Sequence, residues 1–159
     1  PIIKMKKTLV ILLLIFTCAS CNSHTKDSHL DSDDFENQKV RVEVLKDKIK
    51  SFSEIIDAEF ELFNVNGFSN DRTLVPGGSS WDYKFAIRID ISEIDLWTQG
   101  MTLVELKNYD NRWSTEIIAQ RMENWKTYAK PKYYVREGSD VTLLVYENEG
   151  IIFKRVIQN

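Results

Sequence analysis

The sequence predicts an α+β fold: an antiparallel sheet of about five strands with helices packed on one face. Three observations support this prediction. Apolar residues recur at helical spacing over 40–56 and again after residue 114. Apolar and polar residues alternate strictly over 57–65 and 81–91, as they do in half-buried strands. Short apolar runs near the C-terminus are separated by turn residues. Strands joined by hairpins, with the helices in separate groups, are typical of the α+β class.

Residues 40–65 contain two predicted elements. Helical spacing predicts a helix over 40–56, although alternation over 40–44 leaves a strand open at its beginning. Residues 57–65 alternate with period two. One face carries Ala58, Phe60 and Leu62, and the other carries Asp57, Glu59 and Glu61. We therefore expect a strand with one buried face and one solvated acidic face.

Residues 81–91 carry the clearest strand pattern in the chain. Every second position from Trp81 to Ile91 is aromatic or isoleucine, and the positions between them are charged except for Ala86. Such alternation predicts an antiparallel strand that is buried on one face and exposed on the other.

Further helices and strands complete the predicted order. Ser92, followed by Asp95, resembles a capping box for a short helix that ends at Gly100. A second helix begins at Ser114 and ends before Pro131, which cannot continue it. Strands are then expected over 133–135, 141–146 and 151–157, the last two joined by a hairpin. This order is similar in outline to cystatin-like and NTF2-like folds, a likeness that by itself assigns no function.

The N-terminal segment has the pattern of an export signal. Two lysines after Met5 precede the apolar run Leu9–Phe16, which ends at Ala19-Ser20-Cys21. This pattern resembles the signal peptide and lipobox of bacterial lipoproteins, although Cys18 stands where that family usually has leucine. The resemblance implies lipidation of Cys21; cleavage without lipidation is the alternative. In the lipoproteins of Gram-negative bacteria, aspartate at this position is associated with retention in the inner membrane, so Asn22 favours the outer membrane, facing the periplasm, if the host is Gram-negative.

These patterns divide the chain into three parts. Residues 5–20 form the signal peptide, 21–37 the lipidated cysteine with a flexible acidic tether, and 38–159 a single globular domain. The tether is predicted because only Leu30 and Phe35 are apolar between residues 22 and 37. Its two histidines and several aspartates could bind a metal weakly, but a solvated spacer is the favoured interpretation.

Composition excludes several function classes. Without residues 1–20 the chain keeps 18 basic and 24 acidic side chains, a formal charge of −6, which argues against nucleic-acid binding. Residues 38–159 contain no histidine and no cysteine, so Ser-His-Asp, Cys-His and histidine-zinc chemistry have no ligands or bases there. No sequence motif indicates a cofactor. Carboxylate chemistry is the common catalytic option that remains. Glu59 and Glu61 have a spacing that an acid–base pair of a glycosidase could use.

Two places are candidates for contact with a partner. The loop Asn66–Ser80 is unusually long and carries Phe68, Arg72 and Leu74 among glycines. Trp113 stands among polar neighbours, which is typical of an exposed aromatic residue. Alternatively, the loop is a disordered connection and the tryptophan packs in the core.

Three functions stay open at this point. The first is a membrane-anchored envelope lipoprotein whose non-enzymatic domain binds an unknown protein or envelope component. The second is a periplasmic immunity lipoprotein that neutralises a toxin, for which the acidic charge is suited. The third is a carboxylate-dependent hydrolase.

Overall fold

A computed structural model describes residues 28–68, 79–105 and 110–158, which form one antiparallel sheet with short helices. The sheet has seven strands in the order β1-β2-β3-β7-β6-β5-β4, and the α+β class is confirmed. The strands are β1 (His29–Asp31), β2 (Asp57–Asn64), β3 (Trp81–Arg88), β4 (Thr102–Val104), β5 (Lys132–Val135), β6 (Asp140–Tyr146) and β7 (Ile151–Gln158). The two strands beyond the predicted five are the three-residue strands β1 and β4 at its edges.

The helices are short. They are α1 (Gln38–Lys48), α2 (Ile94–Thr98) and α3 (Arg112–Glu116), and 3-10 turns cover Ser32–Asp34, Ile91–Glu93 and Ala119–Trp125. Helix α1 begins where the Asn37 side chain accepts hydrogen bonds from the next backbone amides. It ends at Lys48 instead of the predicted residue 56. The serine-rich stretch that follows bonds to its own backbone, since Ser51 Oγ donates to the Ser53 carbonyl at 2.6 Å.

Helices cover both faces of the sheet, so the prediction of helices on one face only is wrong. Phe85 and Ile87 point into a core cluster beneath α1 and α2, whereas Ala86, between them, points into a second cluster. That second cluster is covered by α3 and the 3-10 turn, through Trp113 and Trp125. The alternation within β3 does not indicate this second cluster, because the residues that cover it are distant in sequence.

Residues 28–37 belong to the fold, so the predicted flexible tether over 21–37 is wrong for this part. Strand β1 pairs with β2, with Leu30 opposite Leu62. The two apolar residues of the segment, Leu30 and Phe35, pack against the core below α1. The proposed signal peptide and Cys21 lie outside the described residues. In the part of the chain that the structure describes, no helix has the length and apolar character needed to cross a membrane.

Candidate functional site

A cleft of about 490 Å³ opens between α1 and the β1 edge of the sheet. This volume lies within the range of small-molecule and peptide-anchor sites. Four partly buried apolar side chains line it together with three charged ones: Leu30, Phe35, Val44 and Phe68, with Glu43, Asp47 and Lys48. The cleft therefore combines an apolar floor with a charged rim.

Helix α1 supplies the charged side of the cleft. Val44, Asp47 and Lys48 are spaced three and four residues apart, so they project from one stripe of the helix. Leu45, the neighbour of Val44, points into the core and fixes the helix against the sheet. Lys48 Nζ donates to the Asp47 carboxylate at 2.6 Å, which leaves Glu43 as the other acid of this side.

Arg41 holds the opposite wall in place. Its guanidinium donates to the backbone carbonyls of Phe35, at 3.2 Å, and Glu36, at 2.9 Å. The same group donates to the Ala58 carbonyl on the part of β2 that β1 does not pair, and to the Asp57 carboxylate at 3.0 Å. One buried side chain thus ties the N-terminal segment and α1 to the sheet. The cleft wall at Phe35 is positioned by this connection.

Glu59 forms the centre of a buried ionic cluster. Its side chain is 1% exposed and accepts hydrogen bonds from both Nε and Nη2 of Arg121, at 2.6 and 2.9 Å. Arg41 Nε lies 3.4 Å from the same carboxylate. Arg121 also donates to the Ser32 carbonyl and to Asp33, which connects the second face of the sheet to the N-terminal segment. Hydrogen bonding to Glu59 raises the pKa of Arg121.

The prediction of a solvated acidic face on β2 is therefore wrong for Asp57 and Glu59. Both carboxylates are buried, and their counter-charges come from residues 16 and 62 positions away in sequence. Glu61, the other member of the proposed acid–base pair, accepts from Lys84 at 3.0 Å. Each carboxylate of that pair therefore forms an ion pair with a basic side chain, Glu59 with Arg121 and Glu61 with Lys84.

The predicted contact residues have different surroundings. Phe68 lies in the cleft, with its ring 6.0 Å from that of Tyr83. Arg72 and Leu74 lie outside the described residues. Trp113 is 7% exposed and packs in the second core cluster, so its predicted exposure is wrong. Its polar neighbours reflect the exposed side of α3, whose only buried residue is this tryptophan.

Lys154, a buried lysine in the middle of β7, is not among the residues predicted from the sequence. The residue is 8% exposed, and its Nζ lies 5.4 Å from the ring centre of Phe52 and 5.6 Å from that of Trp97. Burial, together with the charge of Arg136, lowers the pKa of Lys154 to about 8. A lysine at an inward position of an apolar strand is the sequence signal that could have identified it.

Comparison with known proteins adds nothing to this geometry. No protein-family model, no curated protein and no solved structure matches the chain. Among the described residues, no group of three or more histidine, cysteine, aspartate or glutamate side chains is arranged to hold a metal ion.

Proposed function

We propose that this chain is a membrane-anchored envelope lipoprotein whose domain binds a ligand or protein segment, without catalysis, in the cleft between α1 and β1. The observation that supports it most is the combination of four partly buried apolar side chains with a charged rim in one cleft of about 490 Å³. Each of these side chains packs on the core on one side, so the floor is firm. Covering such a floor removes apolar surface from water, at about 25 cal/mol per Å².

The rim favours a ligand that carries a positive charge beside an apolar group. Asp47 is already paired with Lys48, whereas Glu43 takes part in no ion pair among the described residues. A cation of the ligand would therefore meet Glu43, and its apolar group would lie against Phe35, Val44 and Phe68. A basic peptide segment with an aromatic or aliphatic side chain has this chemistry.

The anchor places this cleft close to a membrane. With lipid on Cys21, only residues 22–27 separate the anchor from Ser28, where the described fold begins. At about 3.3–3.6 Å per residue, these six residues reach roughly 20–22 Å. The cleft, whose wall begins at Leu30, therefore stays near the surface, which we propose is the periplasmic face of the outer membrane.

The immunity lipoprotein is a second candidate, favoured by the distribution of charge. Residues 28–68 carry ten acidic and five basic side chains, and the cleft lies in this acidic part. A basic toxin would be attracted to it, because complementary charge raises association rates. Identification of a basic enzyme as the bound partner would favour this function over binding of an envelope component.

Site-specific photo-crosslinking in intact cells tests the proposal. A benzophenone side chain is placed at Val44, inside the cleft, and in a matched control at Leu103, which is 57% exposed at the opposite edge of the sheet. We expect a discrete adduct from position 44 and none from 103. Equal adducts from both positions, or none from position 44, would contradict the cleft as the binding site.

The anchor is tested separately with Cys21→Ser. This change should move the protein from the detergent phase to the aqueous phase and prevent lipid-dependent processing. Intact mass showing an unlipidated mature wild-type chain would contradict the lipoprotein assignment but leave the crosslinking result valid.

A further inference from the structure

Lys154 interrupts an apolar row that crosses the sheet. The registered neighbours of this row, from β2 to β5, are Phe60, Phe85, Lys154, Leu143 and Tyr134. Their side chains face the core cluster beneath α1 and α2. Lys154 thus places an ammonium group in a row whose other members are all apolar or aromatic side chains.

The ammonium of Lys154 has no counter-charge in the described part of the chain. Its contacts are the rings of Phe52 and Trp97, which meet edge to face at 5.2 Å. Trp97 Nε1 donates a hydrogen bond to Ser53 Oγ at 2.8 Å, which fixes the orientation of the indole. Cation–π contacts with such rings compensate only part of the hydration free energy that a buried ammonium loses.

Two further cations lie near Lys154 or near the ring that it contacts, and one of them, Arg136, directly follows β5, whose Tyr134 is in the same row as Lys154. Lys50 Nζ lies 5.3 Å from the ring centre of Phe52, and the charge of Arg136 acts on Lys154. Among residues 28–68, 79–105 and 110–158, neither of them nor Lys154 forms an ion pair with a carboxylate. The charges of Lys154 and Arg136 repel one another, and Lys50 adds a third cation at the Phe52 ring, in a chain that is acidic overall. An anion bound between them would remove this repulsion.

We propose that Lys154, Lys50 and Arg136 form a binding site for an oxyanion, a phosphate or carboxylate group, over the rings of Phe52 and Trp97. Lys154 forms the base of the site and the two exposed cations form its rim. The donors are charged, so their hydrogen bonds to an oxyanion would be strong and short. The rings would contact an apolar part of the ligand. This site is distinct from the cleft and does not depend on the proposed function.

Inorganic phosphate and acetate are the probes, titrated separately at constant ionic strength with chloride as the reference. Binding is followed by the ¹H–¹⁵N signals of the Trp97 indole and of the Phe52 amide. We expect saturable shifts at these two positions with at least one of the probes. The tighter of the two identifies the preferred oxyanion. Linear shifts spread over the surface, equal to those in chloride, would overturn the proposal.

Two lysine variants separate the site from general charge effects. Lys154→Met keeps the apolar contacts of the stem and should weaken the saturable binding at least tenfold. The control is Lys132→Met, which also removes one positive charge from the sheet but where the lysine is paired with Glu147 at 2.8 Å. It should leave binding unchanged. Equal affinity in Lys154→Met and wild type would contradict the assignment.

A rim variant keeps the test decisive if Lys154→Met does not fold. Arg136→Gln alters only an exposed side chain, so the core packing is untouched. It should weaken binding by about threefold or more, since one of the three cations is lost. Unchanged affinity in this folded variant, together with unchanged Trp97 shifts, would overturn the site.

Discussion

Glu59 and Lys154 are both charged side chains buried in the same sheet, and they differ in what surrounds the charge. Glu59 accepts two hydrogen bonds from Arg121 and lies 3.4 Å from Arg41, so its charge is balanced within the fold. Among the described residues, the ammonium of Lys154 contacts two aromatic rings and pairs with no carboxylate, and the charge of Arg136 also acts on it. The first arrangement is that of a structural connection, and the second is that of a site that lacks its counter-charge.

The surroundings of a buried charge distinguish a structural role from a functional one. A buried pair with good geometry is costly to break but contributes little net stability over apolar packing. A buried charge without a partner lowers stability, so the fold retains it at a cost. Function is therefore the better hypothesis for Lys154 than for Glu59, although Glu59 is the more deeply buried of the two.

The largest effect is expected from Glu59→Gln. The amide keeps the volume but removes the charge that balances two guanidinium groups, which typically costs roughly 3–5 kcal/mol in a buried pair. Urea denaturation at neutral pH measures this loss. Glu61→Gln is the matched control, because the Glu61 side chain is more exposed and pairs with a lysine, Lys84; it should cost about 1 kcal/mol or less. Equal losses would contradict the distinction between the buried and the partly exposed carboxylate.

The next largest effect is expected from Lys154→Met, whose stability relative to the wild type should depend on pH. The folded pKa of about 8 lies below the ordinary value of 10.5, so between these values the unfolded chain binds a proton that the folded chain does not. Wild-type stability therefore rises with pH through this window, whereas the variant lacks this contribution. The free energy of unfolding of the wild type should rise by about 2–3 kcal/mol relative to the variant across this window. Each unit of difference between the folded and unfolded pKa corresponds to about 1.4 kcal/mol.

This difference is measured by urea denaturation of both proteins at pH 7 and pH 10.5. Tyrosine ionisation affects both proteins and cancels in the comparison. Lys154→Met should be the more stable protein at pH 7, and the wild type should gain on it at high pH. Parallel stability profiles would show that the Lys154 charge is compensated in the folded protein.

A smaller effect is expected from Phe52→Leu. Leucine keeps much of the apolar volume but removes a ring face that stabilises the ammonium of Lys154, a contact typically of about 0.5–1 kcal/mol. The pKa of Lys154 should therefore fall below its wild-type value. A pKa that rises in this variant would contradict the role of the ring, and NMR titration of the lysine measures it.

The smallest effect is expected at the exposed pair Asp110–Arg112. Hydrogen bonds from Arg112 lower the pKa of Asp110 to about 2. Arg112→Gln should return that pKa towards its ordinary value, yet leave the urea midpoint at neutral pH unchanged, since exposed pairs contribute little. A large loss of stability here would show that surface charges matter as much as the buried cluster.

Sequence patterns predicted the long central strands well. Strands β2 and β3 begin at the predicted residues 57 and 81, because strict alternation of apolar and polar side chains is a strong local signal. The edge strands β1 and β4 were not predicted, because three residues carry too little pattern. The cover on the second face was missed because Trp113 and Trp125 meet the sheet only through the tertiary fold.

The buried charges could not be predicted from local patterns. The alternation of Asp57, Glu59 and Glu61 is the same whether their face meets water or arginine, and Arg121 lies 62 residues beyond Glu59. Lys154 gave a local signal, since it occupies an inward position within Ile151–Gln158, but only the register with Phe85 and Leu143 places it in the core. Phe68 was predicted as a contact and lies in the cleft; whether it binds a partner stays a prediction.

The most direct test of the difference between the two buried charges is the titration of the Lys154 ammonium itself. Lysine labelled with ¹³C at Cε is followed by NMR, and Lys154→Met assigns the signal. An uncompensated ammonium should titrate near pH 8 in chloride, and its pKa should rise when the preferred oxyanion is added, because a bound anion favours the charged form. A signal that titrates near 10.5 in chloride and does not move with either phosphate or acetate would contradict the account.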